Sequence, residues 1–199
     1  MKVTIHQPEH FPYEGFFQKM NEADLFVILD NVQFRKNYFQ NRNKIINRQG
    51  NEEWFGVSIP KKSTSLLIKD VVTVNDNINS WRRKVIVKLL YNLKIDLANI
   101  YQFEKLIDIN VESIKWCRNK LQIHTPMIFA SELDVTGSKS ELLLDICRKT
   151  NASTYVSGPS GRDYLDIHMF KNNNINVEFF DPQVKNYYSM LYNIQSKAG

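Results

Sequence analysis

Cysteine is scarce in this chain: only Cys117 and Cys147 occur, far apart in sequence. That number and spacing exclude a disulfide framework and a cysteine-built zinc site. Each sits in a helix-like pattern and reads as a buried thiol, as suits a reducing compartment. Long apolar runs are also missing, so no membrane-spanning helix is expected. The start, Met1 to His6, reaches a histidine too soon for the apolar core of a signal peptide. A soluble, cytoplasmic protein is therefore expected. Blocks of Lys or Arg are absent, as is any nucleic-acid-binding motif, so nucleic acid is not an expected partner. Neither an internal repeat nor a low-complexity linker interrupts residues 1–199, and one domain is expected.

What is present is an ordinary globular composition, 43% hydrophobic, which suffices for a core. The net charge of +5 is consistent either with solvated lysines or with an anionic ligand such as a nucleotide or sugar phosphate.

Periodicity predicts an α/β fold: a mostly parallel sheet flanked by helices, with a small β insertion and a helical middle lobe. Lys2 to Ile5 reads as a strand. Tyr13 to Ala23 reads as a helix, with Phe16, Phe17, Met20 and Ala23 recurring at helical steps. Leu25 to Leu29 is a continuous apolar run, the mark of a strand covered on both faces. Gln33 to Asn51 is polar, aromatic and basic. Trp54 to Ile59 reads as a strand, and Leu66 to Val74 as extended; the region from Ile59 to Asn79 looks like an inserted β element. Asn75 to Asn79 reads as a loop. Ser80 is placed to cap a helix over Trp81 to Leu93, and further helix is expected within Tyr101 to Lys120, giving a helical lobe over about 80–122. Met127 to Ala130 reads as a strand. Ser138 to Thr150 reads as a helix with a capping box, Ser138 and Glu141. Thr154 to Ser157, Tyr164 to Phe170 and Val177 to Phe180 follow as strand, helix and strand.

Small α/β proteins place their chemistry where strand carboxyl ends meet loops. The first strand ends in Ile5-His6-Gln7-Pro8-Glu9-His10, where either histidine could move a proton near neutrality. Each could equally be a histidine hydrogen-bonded within the loop. Pro8 opposes a helical pair of zinc ligands, and no metal is expected. Asp30 ends the second apolar run, as an orienting carboxylate or as a turn cap. Arg35 and Lys36 with Asn41, Arg42, Asn43 and Lys44 could hold phosphate and read a sugar or base edge, or form a solvated basic loop. Ser157 and Gly158 end a later strand, where a turn could receive an anion or simply turn the chain. No cofactor-binding motif is evident.

The runs Ile5-His6-Gln7-Pro8, Phe11-Pro12-Tyr13 with Gly15-Phe16, Ala23 to Phe34 and Asn41-Arg42-Asn43 resemble the WbqC family. Trp54 before Val57-Ser58-Ile59-Pro60, Trp81, Asn110, Tyr155 to Gly158 and Tyr164-Leu165 fit it too. The carboxyl terminus departs from the resemblance: Tyr187-Tyr188-Ser189 leads to Ser196 to Gly199 where an apolar helix is expected. The resemblance implies a role in O-antigen or other surface-polysaccharide assembly. It suggests acyl or aminoacyl transfer to the amine of a nucleotide-linked amino sugar, with a thioester donor on an acyl carrier protein. In that reading His6 is the base, Asp30 orients it or a substrate hydroxyl, and Gln7, His10, Gln33, Arg35, Lys36, Asn41, Arg42, Asn43, Ser157 and Gly158 bind substrate. Two other readings stand beside it. The strand–His-turn–helix layout is similar to nucleotidylyltransferase-like folds, which implies ATP and Mg²⁺ chemistry. A non-catalytic sugar-nucleotide-binding protein is the third.

Overall fold

A computed structural model describes residues 1–75 and 80–196. The expected loop at 75–79 and the last residues of the tail, 197–199, therefore lie largely outside the described residues. In chain order the elements are β1 Lys2–His6, α1 Glu14–Asn21, β2 Leu25–Ile28, β3 Arg42–Ile46, β4 Glu52–Gly56, α2 Trp81–Leu93 and α3 Leu106–Lys120. They continue with β5 Met127–Phe129, α4 Lys139–Lys149, β6 Thr154–Ser157, α5 Ile167–Lys171, β7 Asn176–Phe179 and α6 Met190–Ser196. The chain divides into two compact units. The first holds residues 1–7, 15–30 and 123–185; the second holds 8–14, 31–122 and 186–199.

The first unit is a five-stranded sheet in the order β5-β2-β1-β6-β7, and every pairing is parallel. The α/β class read from sequence is therefore correct. Val3, Thr4 and Ile5 are all buried, as are Phe26, Val27 and Ile28. Consecutive burial, rather than alternation, means that both faces are covered, which is what parallel strands require. Thr4 is the polar exception, and its hydroxyl donates to the Val156 carbonyl at 2.8 Å. α1 presents Phe16, Phe17 and Met20 to the core, with Phe16 against Phe26 at 5.1 Å between ring centroids. Tyr155 stacks on Phe170 of α5, a helix capped by the Asp166 carboxylate on the Met169 N–H. The expected capping box at Ser138 does not form: Ser138 makes no side-chain cap, and Lys139 has a positive φ of 51°.

The second unit packs an antiparallel hairpin, β3–β4, with α2, α3 and α6. The β element thus lies earlier than the sequence reading placed it. Its turn is made by Asn47, whose amide oxygen accepts from the N–H groups of Gln49 and Asn51 at 3.0 Å each. Gly50 supplies the left-handed residue, φ 82°, at no steric cost. The stretch Leu66 to Val74 is not a strand. Ile68–Asp70 is a 3-10 turn; Leu66, Leu67 and Val71 on either side of it have extended backbone, and Leu67 and Val72 pair only through isolated bridges. Ser80 caps α2 as expected, accepting from the Arg83 N–H at 3.2 Å. α3 buries Ile107, Val111, Ile114 and Cys117 at helical spacing. The carboxyl-terminal helix that seemed missing is present as α6, with Met190 and Leu191 fully buried. Among the described residues no helix is long and apolar enough to cross a membrane.

Candidate functional site

In the first unit, β1 lies at the middle of the sheet. β2 and β5 extend the sheet to one side of it, and β6 and β7 to the other. The order therefore reverses between β1 and β6. In open parallel sheets such a switch point opens a crevice at the strand carboxyl ends, where ligands bind. The last registered pair here is Thr4 with Val156. His6 and Gln7 on one strand and Ser157 and Gly158 on the other follow directly, so the sheet brings these four candidates to one edge.

His6 is the titratable candidate of this edge. Its ring lies edge-on to Phe16, with centroids 4.8 Å apart. Nδ1 is 3.0 Å from the Gln7 carbonyl oxygen. A carbonyl only accepts, so Nδ1 carries the hydrogen and Nε2 keeps the lone pair. No hydrogen bond from a described residue engages Nε2. Part of the ring meets solvent, yet protein atoms surround it densely enough that burial pushes its pKa down to about 3. The Lys19 ammonium adds to the downward shift, and the Gln7 hydrogen bond opposes it. Lys19 was missed by the sequence reading. It is 5% exposed, with its ammonium 3.4 Å from the Ile5 carbonyl. The signal was available: position 19 falls three residues after Phe16, on the inward face of α1.

Asp30 is 2% exposed, and both of its oxygens are engaged by Ser131. Oδ1 accepts from the Ser131 N–H at 3.0 Å and Oδ2 from its hydroxyl at 2.6 Å. It caps the turn at Ala130–Glu132, and the group that orients His6 is the Gln7 carbonyl. Ser157 is also committed. Its buried hydroxyl donates to the Gly158 carbonyl at 3.2 Å and lies where a β-carbon on Gly161 would have to sit, 2.1 Å away. That close approach is why residue 161 is glycine. Gly158 instead faces open space.

The remaining candidates lie in the second unit, where most of them hold the fold. His10 is fully buried, with Nε2 at 3.0 Å from the Tyr101 hydroxyl. Burial pushes its pKa down to about 3, opposed by the nearby Asn110 amide. His10 Nδ1 and Asn110 Oδ1 each lack a partner in good hydrogen-bonding geometry, so the contact between the two residues is a loose one. An amide oxygen facing Nδ1 puts the hydrogen there, and Tyr101 then donates to Nε2. The buried Asn110 amide nitrogen donates to the carbonyls of Pro8 at 3.0 Å and Gln40 at 2.7 Å. Asn43 donates to the Phe11 carbonyl at 2.8 Å and accepts from the Lys44 N–H. Asn41 accepts from the Asn37 N–H at 2.8 Å and donates to the Val57 carbonyl at 3.2 Å. The amides expected to read a sugar are therefore saturated by backbone. Asn43 on its carbonyl and the Ser113 hydroxyl on its N–H, at 3.0 Å, hold Phe11 in a left-handed conformation, φ 44°. Such a conformation costs about 1–3 kcal/mol for a residue of this kind and persists only when its surroundings enforce it.

Gln33 donates to the Thr64 carbonyl at 2.8 Å, and the Lys36 ammonium to the Ile59 carbonyl. The Arg35 guanidinium lies over Tyr38 at 4.7 Å. Arg42 differs from these. Its guanidinium covers Trp54 at 4.3 Å, and its buried Nε has no acceptor.

The chain is 30% identical over 192 residues to an uncharacterised protein of Mycobacterium tuberculosis, covering 90% of this chain and 82% of that one. No solved structure shows a significant match. The family model described as the WbqC-like protein family matches residues 7–194. By that near-complete match, the chain belongs to the WbqC-like protein family.

Proposed function

We propose that this protein is a transferase of surface-polysaccharide assembly, which moves an acyl or aminoacyl group from a carrier thioester to the amine of a nucleotide-linked amino sugar. The observation that carries the chemistry is His6. It is a neutral imidazole at the switch point of a parallel sheet, with Nδ1 tethered and the Nε2 lone pair unengaged. In the reaction the amine nitrogen bonds to the thioester carbonyl carbon. The amine proton passes to His6 Nε2, the carbon–sulfur bond breaks, and the proton leaves with the thiolate. A base with a pKa near 3 is too weak in the empty site. Burial is the larger cause of that low value and the Lys19 charge the smaller, so a substrate group that accepts a hydrogen bond from the imidazolium raises its proton affinity when the proton is to be moved. Family membership and the phosphate-compatible charge of the chain support the pathway and the substrate class.

The test is transfer from acyl thioesters to UDP- and dTDP-linked amino sugars, with His6→Gln alongside. Loss of a general base is worth roughly 10²–10⁴-fold in rate. Unchanged turnover in the variant removes His6 from the chemistry. The same layout would serve ATP-dependent nucleotidyl transfer, because Gly158 leaves the switch-point turn open to a phosphate. Pyrophosphate release with ATP and Mg²⁺, and no acyl transfer, would favour that second reading.

A further inference from the structure

The second unit contains two cavities that the chemistry above does not use. One, of about 320 Å³, is lined by Arg42, Trp54, Trp81, Lys84 and Lys88, among others. The other, of about 550 Å³, runs along α2 past Arg83, Lys84, Lys88, Tyr91 and Asn92. They share Lys84 and Lys88, so they form one groove between hairpin β3–β4 and helix α2. Helical spacing explains the lining: positions 81, 84, 88 and 91 make one stripe of α2, while Val85, Leu89 and Leu93 make the buried stripe.

The charge of this groove is one-sided. Arg42, Arg83, Lys84 and Lys88 line it, against Glu53 alone. Glu53 is already paired with Lys88 at 3.0 Å, and Lys88 also donates to the Trp54 carbonyl at 2.8 Å. Among the described residues, no carboxylate pairs with Arg42, Arg83 or Lys84. Arg42 is the telling one, because its guanidinium is pinned on the Trp54 face at 4.3 Å and lines the cavity as a fixed cation. Trp54 remains 43% exposed, a large aromatic surface left at the cavity wall. Fixed guanidinium, free ammonium and exposed indole together suit a ligand with both a flat ring and multiple negative charges.

We propose that this groove binds the nucleoside diphosphate of an activated sugar. The base packs against the indoles of Trp54 and Trp81. The diphosphate lies over Lys84, where the two cavities meet, with Arg42 on one side and Arg83 on the other. The volumes match a small ligand site. The proposal rests on the nucleotide-linked substrate named above and gives that nucleotide a place.

Titration calorimetry of the full chain with UDP and dTDP, with uridine and inorganic pyrophosphate as separate arms, tests it. We expect a nucleoside diphosphate to bind and to quench tryptophan fluorescence, and Lys84→Ala and Arg42→Gln each to weaken binding tenfold or more. Lys61→Ala, a surface change elsewhere, should leave affinity unchanged. Trp54→Leu should lower affinity for UDP and not for pyrophosphate. Absence of binding by either diphosphate, or equal affinity in wild type, Lys84→Ala and Arg42→Gln, overturns the site. Pyrophosphate binding as tightly as UDP overturns the nucleoside assignment. His6→Gln should bind UDP normally, so failure of acyl transfer and failure of this site are read separately.

Discussion

The Tyr101 hydroxyl and the His10 imidazole share a 3.0 Å hydrogen bond with both side chains shut away from solvent. The second histidine of the strand-end turn is thus a neutral member of a buried network. It makes stability depend on acid. In the unfolded chain His10 titrates near its ordinary value, while in the folded protein burial holds its pKa down to about 3. Below about pH 6.5 the unfolded state binds a proton that the folded state refuses, so stability is complete above that pH and falls as pH drops toward 3. The expected slope is on the order of 1 kcal/mol per pH unit from this residue. Thermal melts of wild type and His10→Phe between pH 7 and 4 check it. The variant should lose stability overall but show a shallower acid dependence.

Asn110 should matter for the same unit through its two backbone partners. Replacing it by Ala removes the amide donor from the buried carbonyls of Pro8 and Gln40. Losing a hydrogen bond to a buried acceptor costs about 1–3 kcal/mol. Asn110→Ala should therefore cost a few kcal/mol of stability, about the sum of the two, read as a lower denaturation midpoint at unchanged m-value. A loss under about 1 kcal/mol would mean that those carbonyls find other partners.

The legible parts of the fold were those where burial and periodicity agree. β1, β2 and β6 are runs with nearly every residue buried, and α2 and α4 carry clean helical stripes. β3 was illegible because one of its inward positions is Asn43, buried for its hydrogen bonds, which breaks the apolar alternation. Around Ile68 the β-branched residues suggested a strand. Yet Ile68 and Val71, three apart, are the buried pair, and Val72 is 47% exposed, a 3-10 phase rather than an extended one. α6 is only seven residues long, too short to announce itself by period. At the site, strand-end logic placed His6 correctly. It could not foresee that Asn41 and Asn43 are saturated by carbonyls and N–H groups distant in sequence, because one-dimensional pattern holds no record of partners.

Asp30 separates a structural from a chemical carboxylate. Ser131→Ala removes only the hydroxyl bond to Oδ2 and keeps the N–H bond to Oδ1, so it should cost about 1 kcal/mol, whereas Asp30→Ala removes both bonds and should cost more, about 1–2 kcal/mol. The double variant should cost little more than Asp30→Ala alone, since that change already removes the hydroxyl bond. Turnover measured well below the melting temperature should survive in Ser131→Ala. A large rate loss there without a loss of stability would return Asp30 to the chemistry.

The pH profile of transfer follows from His6. An unperturbed imidazole that acts as base loses about tenfold in activity one unit below pH 6.5. Here burial, aided by the Lys19 charge, pushes the free-enzyme pKa down to about 3. Because kcat/KM reports free-enzyme ionisations, it should show no His6 limb between pH 7 and 5 once titration of the substrate amine is divided out. Removing the Lys19 charge with Lys19→Met takes away one of the two lowering influences, so the His6 pKa must rise. An imidazole NMR titration reads that rise directly. The acid limb of kcat/KM should move up by the same amount if His6 is the base. If the NMR value moves and the limb does not, the proton is taken by another group.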